Sequence, residues 1–275
     1  MITLVEVRNT QGSLLNLPLD DASNGIFVQD IDGLHPVKAT IVSSSFANLD
    51  EEQYQSSRRV TRDITLTLGL EPDYVTTTVS ELRNQLYAYF MPKSSVNLRL
   101  HDSDSRIVTI NGWVESCEAP LWSEDPEMVV VIRCLNSDFS DLIGSTVSGT
   151  TVSTTAETLV PYAGSVETGL QFSLYVNRAL STFEIYHRGP DNLMRSLSFS
   201  VSPALIAGDL LHINTNPGAK TAYVSRGDGD LPMLYAISPQ SSWLKLLPGS
   251  NYFRVYATGA AIPFAIAYTN RYGGL

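Results

Sequence analysis

The side chains able to do chemistry are few and far apart. Four histidines, His35, His101, His187 and His212, are scattered, with no paired spacing of the kind metal sites use. No Gly-x-Ser-x-Gly elbow, phosphate-cradling Walker loop or Gly-x-Gly-x-x-Gly turn occurs. Ser43-Ser44-Ser45 reads as a polar strand end rather than an activated nucleophile. Carboxylates cluster at Asp50-Glu51-Glu52, at Glu124-Asp125-Pro126-Glu127 and at Asp228-Gly229-Asp230. The first two read as solvated loop charge. The third lacks the fifth-position ligand and distal Glu of a calcium loop and reads as a turn. Two cysteines, Cys117 and Cys134, are too few for a disulfide framework and are expected as buried, reduced thiols. Simple hairpin pairing about Leu121–Glu124 would not set them opposite each other. The expectation is therefore no catalytic, cofactor-binding or metal-ligating residue.

The elements that position these residues announce themselves by period-2 alternation. Ile64, Leu66, Leu68 and Leu70 alternate with Asp63, Thr65, Thr67 and Gly69, and Val96, Leu98 and Leu100 with Asn97, Arg99 and His101. Met128, Val130, Ile132 and Cys134 share a face. Later come Leu170-Phe172-Leu174, Leu197-Phe199-Val201, Phe253-Val255 and Ile262-Phe264-Ile266-Tyr268. Successive strand side chains point to opposite faces, so these are half-buried strands. One segment breaks step. Val75, Val79, Leu82, Leu86 and Tyr89/Phe90 recur at helical spacing, Thr78 and Glu81 fit a capping box, and Pro92 stops the ladder.

A chain of 275 residues with 17% charged and 43% hydrophobic residues has a globular composition and room for two cores. No apolar run approaches the ~20 residues that span a bilayer, and no secretory signal is visible at Met1–Glu6. Synthesis in a cytosol is expected. The net charge of −10 is uneven: residues 1–140 hold 20 acids and 10 bases, whereas residues 141–275 hold 8 of each. An acidic balance argues against duplex binding, which needs a basic surface. Residues 141–155, rich in Ser, Thr and Gly, read as a linker between a domain at 1–140 and one at 156–275, with an edge strand as the alternative.

Several segments together resemble the distal tail proteins of siphophages. At the C-terminal side these are Gly208–Lys220 with its Pro217-Gly218 turn, Ser242–Asn251 with Pro248-Gly249, and Tyr268–Leu275. At the N-terminal side they are Asp30–Val42, the stretch running on to Arg59, the strand at Ile64–Leu70 and the helix. The resemblance covers nearly the whole chain. It implies a mainly β protein: a tail-tube-like β-barrel or sandwich with one flanking α-helix, then a galectin-like β-sandwich. It also implies a homo-hexameric ring at the distal end of a long non-contractile tail. One face would meet the tail tube protein and the other the tail hub or tip protein. A fibre or receptor-binding protein would dock on the C-terminal domain, and DNA would pass through the lumen without specific binding. No enzyme activity, cofactor or membrane insertion is implied.

Within that frame Phe46–Arg59 is expected as an extended inter-subunit loop. Phe46, Leu49 and Tyr54 followed by Arg58 and Arg59 have the composition of an interface centre. A comparison with sugar-binding galectins stops at His212-Ile213-Asn214. Thr215 and Asn216 replace the Pro-Arg that would follow, and Trp243 lacks its companion Glu. His212, between Leu211 and Ile213, is expected to point outward. The alternative function is a carbohydrate-binding adhesion protein without a ring, and the most remote is a glycosidase.

Overall fold

A computed structural model describes residues 2–19, 21–46, 50–120, 126–227 and 229–275. The chain divides into two compact units, Met1–Leu142 with Tyr272–Leu275, and Ile143–Arg271. No described helix is long and apolar enough to cross a membrane.

The first unit contains β1 (Ile2–Asn9), β2 (Leu14–Pro18), β3 (Ile26–Asp32), β4 (Ala39–Ser45), β5 (Glu52–Arg59), β6 (Arg62–Leu70), α1 (Val79–Phe90), β7 (Ser95–Asp102), β8 (Ile107–Glu118), β9 (Glu127–Cys134) and β10 (Phe139–Asp141). Its main sheet runs β2-β1-β7-β8-β9-β6-β3, with β10 beside β8. A parallel bridge between Leu19 and Val28 joins the two ends, so the sheet closes on itself as a barrel. The alternation explains why. Ile64, Leu66, Leu68, Val96, Leu98, Leu100, Met128, Val130 and Ile132 are all at most 3% exposed and form one core.

The helix behaves as its cap requires. The Thr78 hydroxyl accepts from the Glu81 amide at 3.3 Å, and the Glu81 carboxylate accepts from the Thr78 amide at 2.8 Å. Leu82, Leu86 and Phe90 are buried, each side chain contributing about 1.5–3 kcal/mol of hydrophobic stabilisation. Val75, expected on this stripe, lies outside the helix and is exposed. Its segment is instead folded by Asp73, whose carboxylate accepts from the Val75, Thr76 and Thr77 amides at 3.1, 2.9 and 2.8 Å. The Thr76 hydroxyl, which also donates to Asp73, and these amides together hold its carboxyl far below the ordinary carboxylate range.

The second unit contains β11 (Ser145–Thr150), β12 (Thr158–Tyr162), β13 (Gln171–Tyr175), β14 (Leu180–Arg188), β15 (Met194–Leu205), β16 (Leu210–Asn214), β17 (Thr221–Arg226), β18 (Gly229–Pro232), β19 (Gly249–Tyr256) and β20 (Pro263–Tyr268). Two sheets, β11-β20-β13-β16-β17-β18 and β12-β19-β14-β15, enclose one core as a sandwich. Stacked pairs cement it: Phe172 on Phe264 at 5.5 Å and Phe183 on Phe199 at 4.6 Å. The stretch 141–155, expected as a linker, contains the edge strand β11, paired residue for residue with β20. Thr151 extends the pairing by donating its amide to Ile262 and accepting from the Ile262 amide, both at 2.9 Å. Small β-tolerant residues suffice here because an edge strand has a single partner to satisfy.

Both cysteines are free. Cys117 faces Val130 and Cys134 faces Arg62 in the sheet register, so the two are not opposite one another. Cys134 is fully buried, whereas Cys117, expected to be buried, is only half so. Burial pushes the thiols up to about 12 and about 11 respectively, which leaves both protonated and unreactive.

Candidate inter-subunit arm

Strands β4 and β5 form a sheet of their own, apart from the barrel. Pairing runs from Ala39 opposite Arg59 to Ser45 opposite Glu52, with a bulge at Val42/Ser43. The stretch expected as a loop is therefore largely strand. Its polar run Gln53-Tyr54-Gln55-Ser56-Ser57 has no apolar alternation, because neither face of the ribbon meets a core. Every residue of β5 is exposed. An isolated two-stranded ribbon is marginal in water, and this one shows solvent Ile41 at 65%, Phe46 at 52% and Tyr54 at 63% exposure.

The root of the ribbon explains how it is held. The Arg59 guanidinium pairs end-on with Asp138 through both terminal nitrogens, one of the two bonds measuring 2.9 Å. The Val60 amide donates to the Lys38 carbonyl at 3.1 Å. Arg62, 1% exposed, lies with its guanidinium 4.4 Å above the Phe139 ring. It donates to the carbonyls of Gly33, His35 (2.7 Å), Ser137 (2.9 Å) and Gly273 (2.5 Å). One buried cation thus ties the strand entering the ribbon, the strand leaving it and the last residues of the chain. Gly33 sits beside this knot with φ +87°, and a Cβ there would meet the Asp63 carbonyl at 2.0 Å, so only glycine fits.

Of the residues singled out in the sequence, Phe46, Tyr54 and Arg58 are exposed on the ribbon. Leu49 lies outside the described residues. Arg59 differs from the expectation: its charge is spent on Asp138 within the chain, so it anchors the arm. Asp138 and Arg62 were not found by sequence reasoning. Arg62 opens an alternating strand on the core face, in phase with Ile64 and Leu66, and a cation in that phase was the available signal.

The remaining polar residues are structural. His187 is buried, its Nε2 2.9 Å from Asn251 Oδ1 and its ring stacked on Phe253 at 4.7 Å. His212 stands between buried Leu211 and Ile213, pointing outward and stacked on Tyr223 at 4.9 Å. Trp243 packs partly buried against the sandwich core, with the Lys220 ammonium 5.4 Å from its ring centroid. Asp230 accepts from the Ser225 hydroxyl at 2.6 Å beside a hairpin turn. Asp228, Glu124 and Asp125 lie outside the described residues.

Residues 163–272 match the family model described as siphovirus-type tail component, C-terminal domain. Along 97% of this chain and 98% of the other, the fold is similar to the Dit protein (gp 19.1) of phage SPP1, at TM-score 0.67 and 14% identity. That protein is described as a paradigm of the hub adsorption apparatus in phages infecting Gram-positive hosts. A chain of the phage P2 baseplate in its activated conformation with calcium is more distant, at TM-score 0.46 and 8% identity over 97% and 98% of the two chains. No curated protein matches the sequence. In keeping with the expected resemblance, residues 163–272 match the C-terminal domain of siphovirus-type tail components, and the fold of nearly the whole chain is similar to that of the SPP1 Dit protein.

Proposed function

We propose that six copies of this chain close a ring at the distal end of a long, non-contractile tail, joining the tail tube protein to the tail hub or tip protein. The observation that carries the reading is the β4–β5 ribbon. It exposes aromatic and aliphatic side chains on both strands, is buttressed at its root by Arg59–Asp138 and by Arg62, and meets no core of its own. A two-stranded projection that is marginal in water and exposes Ile41, Phe46 and Tyr54 is stable in use only when another surface covers it. In closed cyclic symmetry each copy presents two different patches, and the ribbon supplies one of them. The family match and the shared fold support the tail location.

The ring works by geometry rather than by chemistry. The barrel units surround a lumen through which DNA passes without specific binding. The excess carboxylates of residues 1–140 line that lumen in part, repelling phosphate so that the genome slides. The sandwich unit sits at the periphery and docks a fibre or receptor-binding protein. Removing residues 49–56 tests the reading. The shortened chain keeps its cooperative thermal transition and loses ring assembly; normal rings from it would overturn the assignment of the ribbon.

A further inference from the structure

The barrel carries a second exposed feature that its fold does not explain. On β8, Ile110 and Val114 point into the core, which turns Trp113 outward at 52% exposure. Beside it Leu135, just past β9, is 68% exposed. The two share a cavity of about 410 Å³ whose rim includes Arg8, Asn9, Asn111 and Asn136. Trp113 and Leu135 thus give this cavity an exposed apolar floor, the kind of feature that contact with another surface would cover.

The hydrogen bonds fix the polarity of that rim. Arg99 Nε, which can only donate, bonds Asn97 Oδ1 at 3.2 Å. Asn97 Nδ2 must then be the donor to Asn111 Oδ1, at 2.7 Å. Asn9 Oδ1 accepts the Gln11 and Ser13 amides at 3.1 and 2.9 Å, and Asn136 Oδ1 accepts the Asp138 amide at 3.2 Å. In all three rim asparagines the oxygen is spent inside the chain and the –NH₂ group remains. Arg8 bonds Glu6 through Nε at 3.2 Å, which leaves its terminal nitrogens. Arg8, Asn9, Asn111 and Asn136 thus offer donors beside an apolar floor, with the Thr10 and Ser95 hydroxyls and Asn97 completing the lining, and no carboxylate is among the described residues that line it. Its complement is a segment of acceptors carrying large apolar side chains.

The tip of the ribbon has that composition. Asp50, Glu51 and Glu52 are exposed, as are Phe46 just past β4 and Tyr54 on β5. We propose that the Trp113–Leu135 groove receives the tip of the β4–β5 ribbon from a second copy of this chain, aromatic side chains on Trp113 and Leu135, carboxylates on Arg8, Asn9, Asn111 and Asn136. The inference rests on the ring reading and names the second patch that closure needs.

Cysteine pairing tests it on the full chain. Cys117 and Cys134 interfere little, since burial keeps both thiols protonated. Glu51→Cys protein is mixed with Asn136→Cys protein under mild oxidation, with Thr182→Cys on the sandwich unit as the control acceptor. The expected result is a covalent Glu51→Cys/Asn136→Cys dimer forming at least tenfold faster than the control pair. Trp113→Ala in the Asn136→Cys partner removes that advantage without shifting its thermal midpoint. Equal rates for the two acceptors, or an advantage that survives Trp113→Ala, would overturn the groove. The two readings fail separately. Rings in negative stain without the preferred cross-link keep the ring and refute the groove. A preferred cross-link in a doubly substituted chain that never closes beyond a dimer keeps the groove and refutes the ring.

Discussion

Arg62 joins three separate stretches of backbone through one side chain. Its guanidinium is buried, and burial lowers its proton affinity, yet it stays charged because guanidinium titrates far above neutrality. Replacement by Met strands the carbonyls of Gly33, His35 and Ser137 without a donor. Arg62→Met is expected to cost about 3 kcal/mol, read as a lower denaturation midpoint at unchanged m. His187 makes a pH statement. Burial holds its imidazole below the ordinary 6.5, with Asn251 opposing the shift and Arg195 and Asp191 acting at longer range. A depressed histidine is neutral when folded and takes up a proton when unfolded. Its contribution is complete above pH 6.5 and is lost as pH falls from there toward the folded value. Thermal melts between pH 7 and 5 should show stability declining, and His187→Gln should flatten that decline.

The elements divide by how they satisfy their backbone and their apolar faces. The barrel and sandwich strands do both inside one chain, and α1 adds a reciprocal cap. Thr78→Ala removes the hydroxyl acceptor and is expected to cost about 1 kcal/mol, measured by chemical denaturation; no change would mean that the first turn is held by packing alone. Alternation made the strands at Ile64–Leu70, Val96–Leu100 and Met128–Cys134 readable, because each has one face in a core. It could not reveal β5, where Gln53, Gln55, Ser56 and Ser57 meet no core and leave no apolar signature. It also left β11 open between linker and edge strand, since Ser145–Thr150 expose every second residue to solvent with little apolar contrast. The knot around Arg62 was hidden for another reason: its partners are backbone carbonyls 27 to 211 residues away, which carry no side-chain code. The arm site was legible as a composition, Phe46 and Tyr54 with Arg58 and Arg59, but the division of labour between Arg58 on the ribbon and Arg59 at the root needed Asp138 in view.

At the scale of the molecule, the described residues present two unsatisfied surfaces, an acidic aromatic ribbon and a donor-rich tryptophan groove, both on the first unit. Such a pair on one molecule makes a heterologous contact, which generates either a closed ring or an open filament. Closure at six, with a channel, is the central claim, and imaging the purified full-length protein by electron microscopy at high concentration tests it most directly. The account predicts six-fold rings with an open lumen, the barrel units inside and the sandwich units outside. Monodisperse single copies, two-fold dimers with both ribbons mutually buried, or open filaments would contradict it.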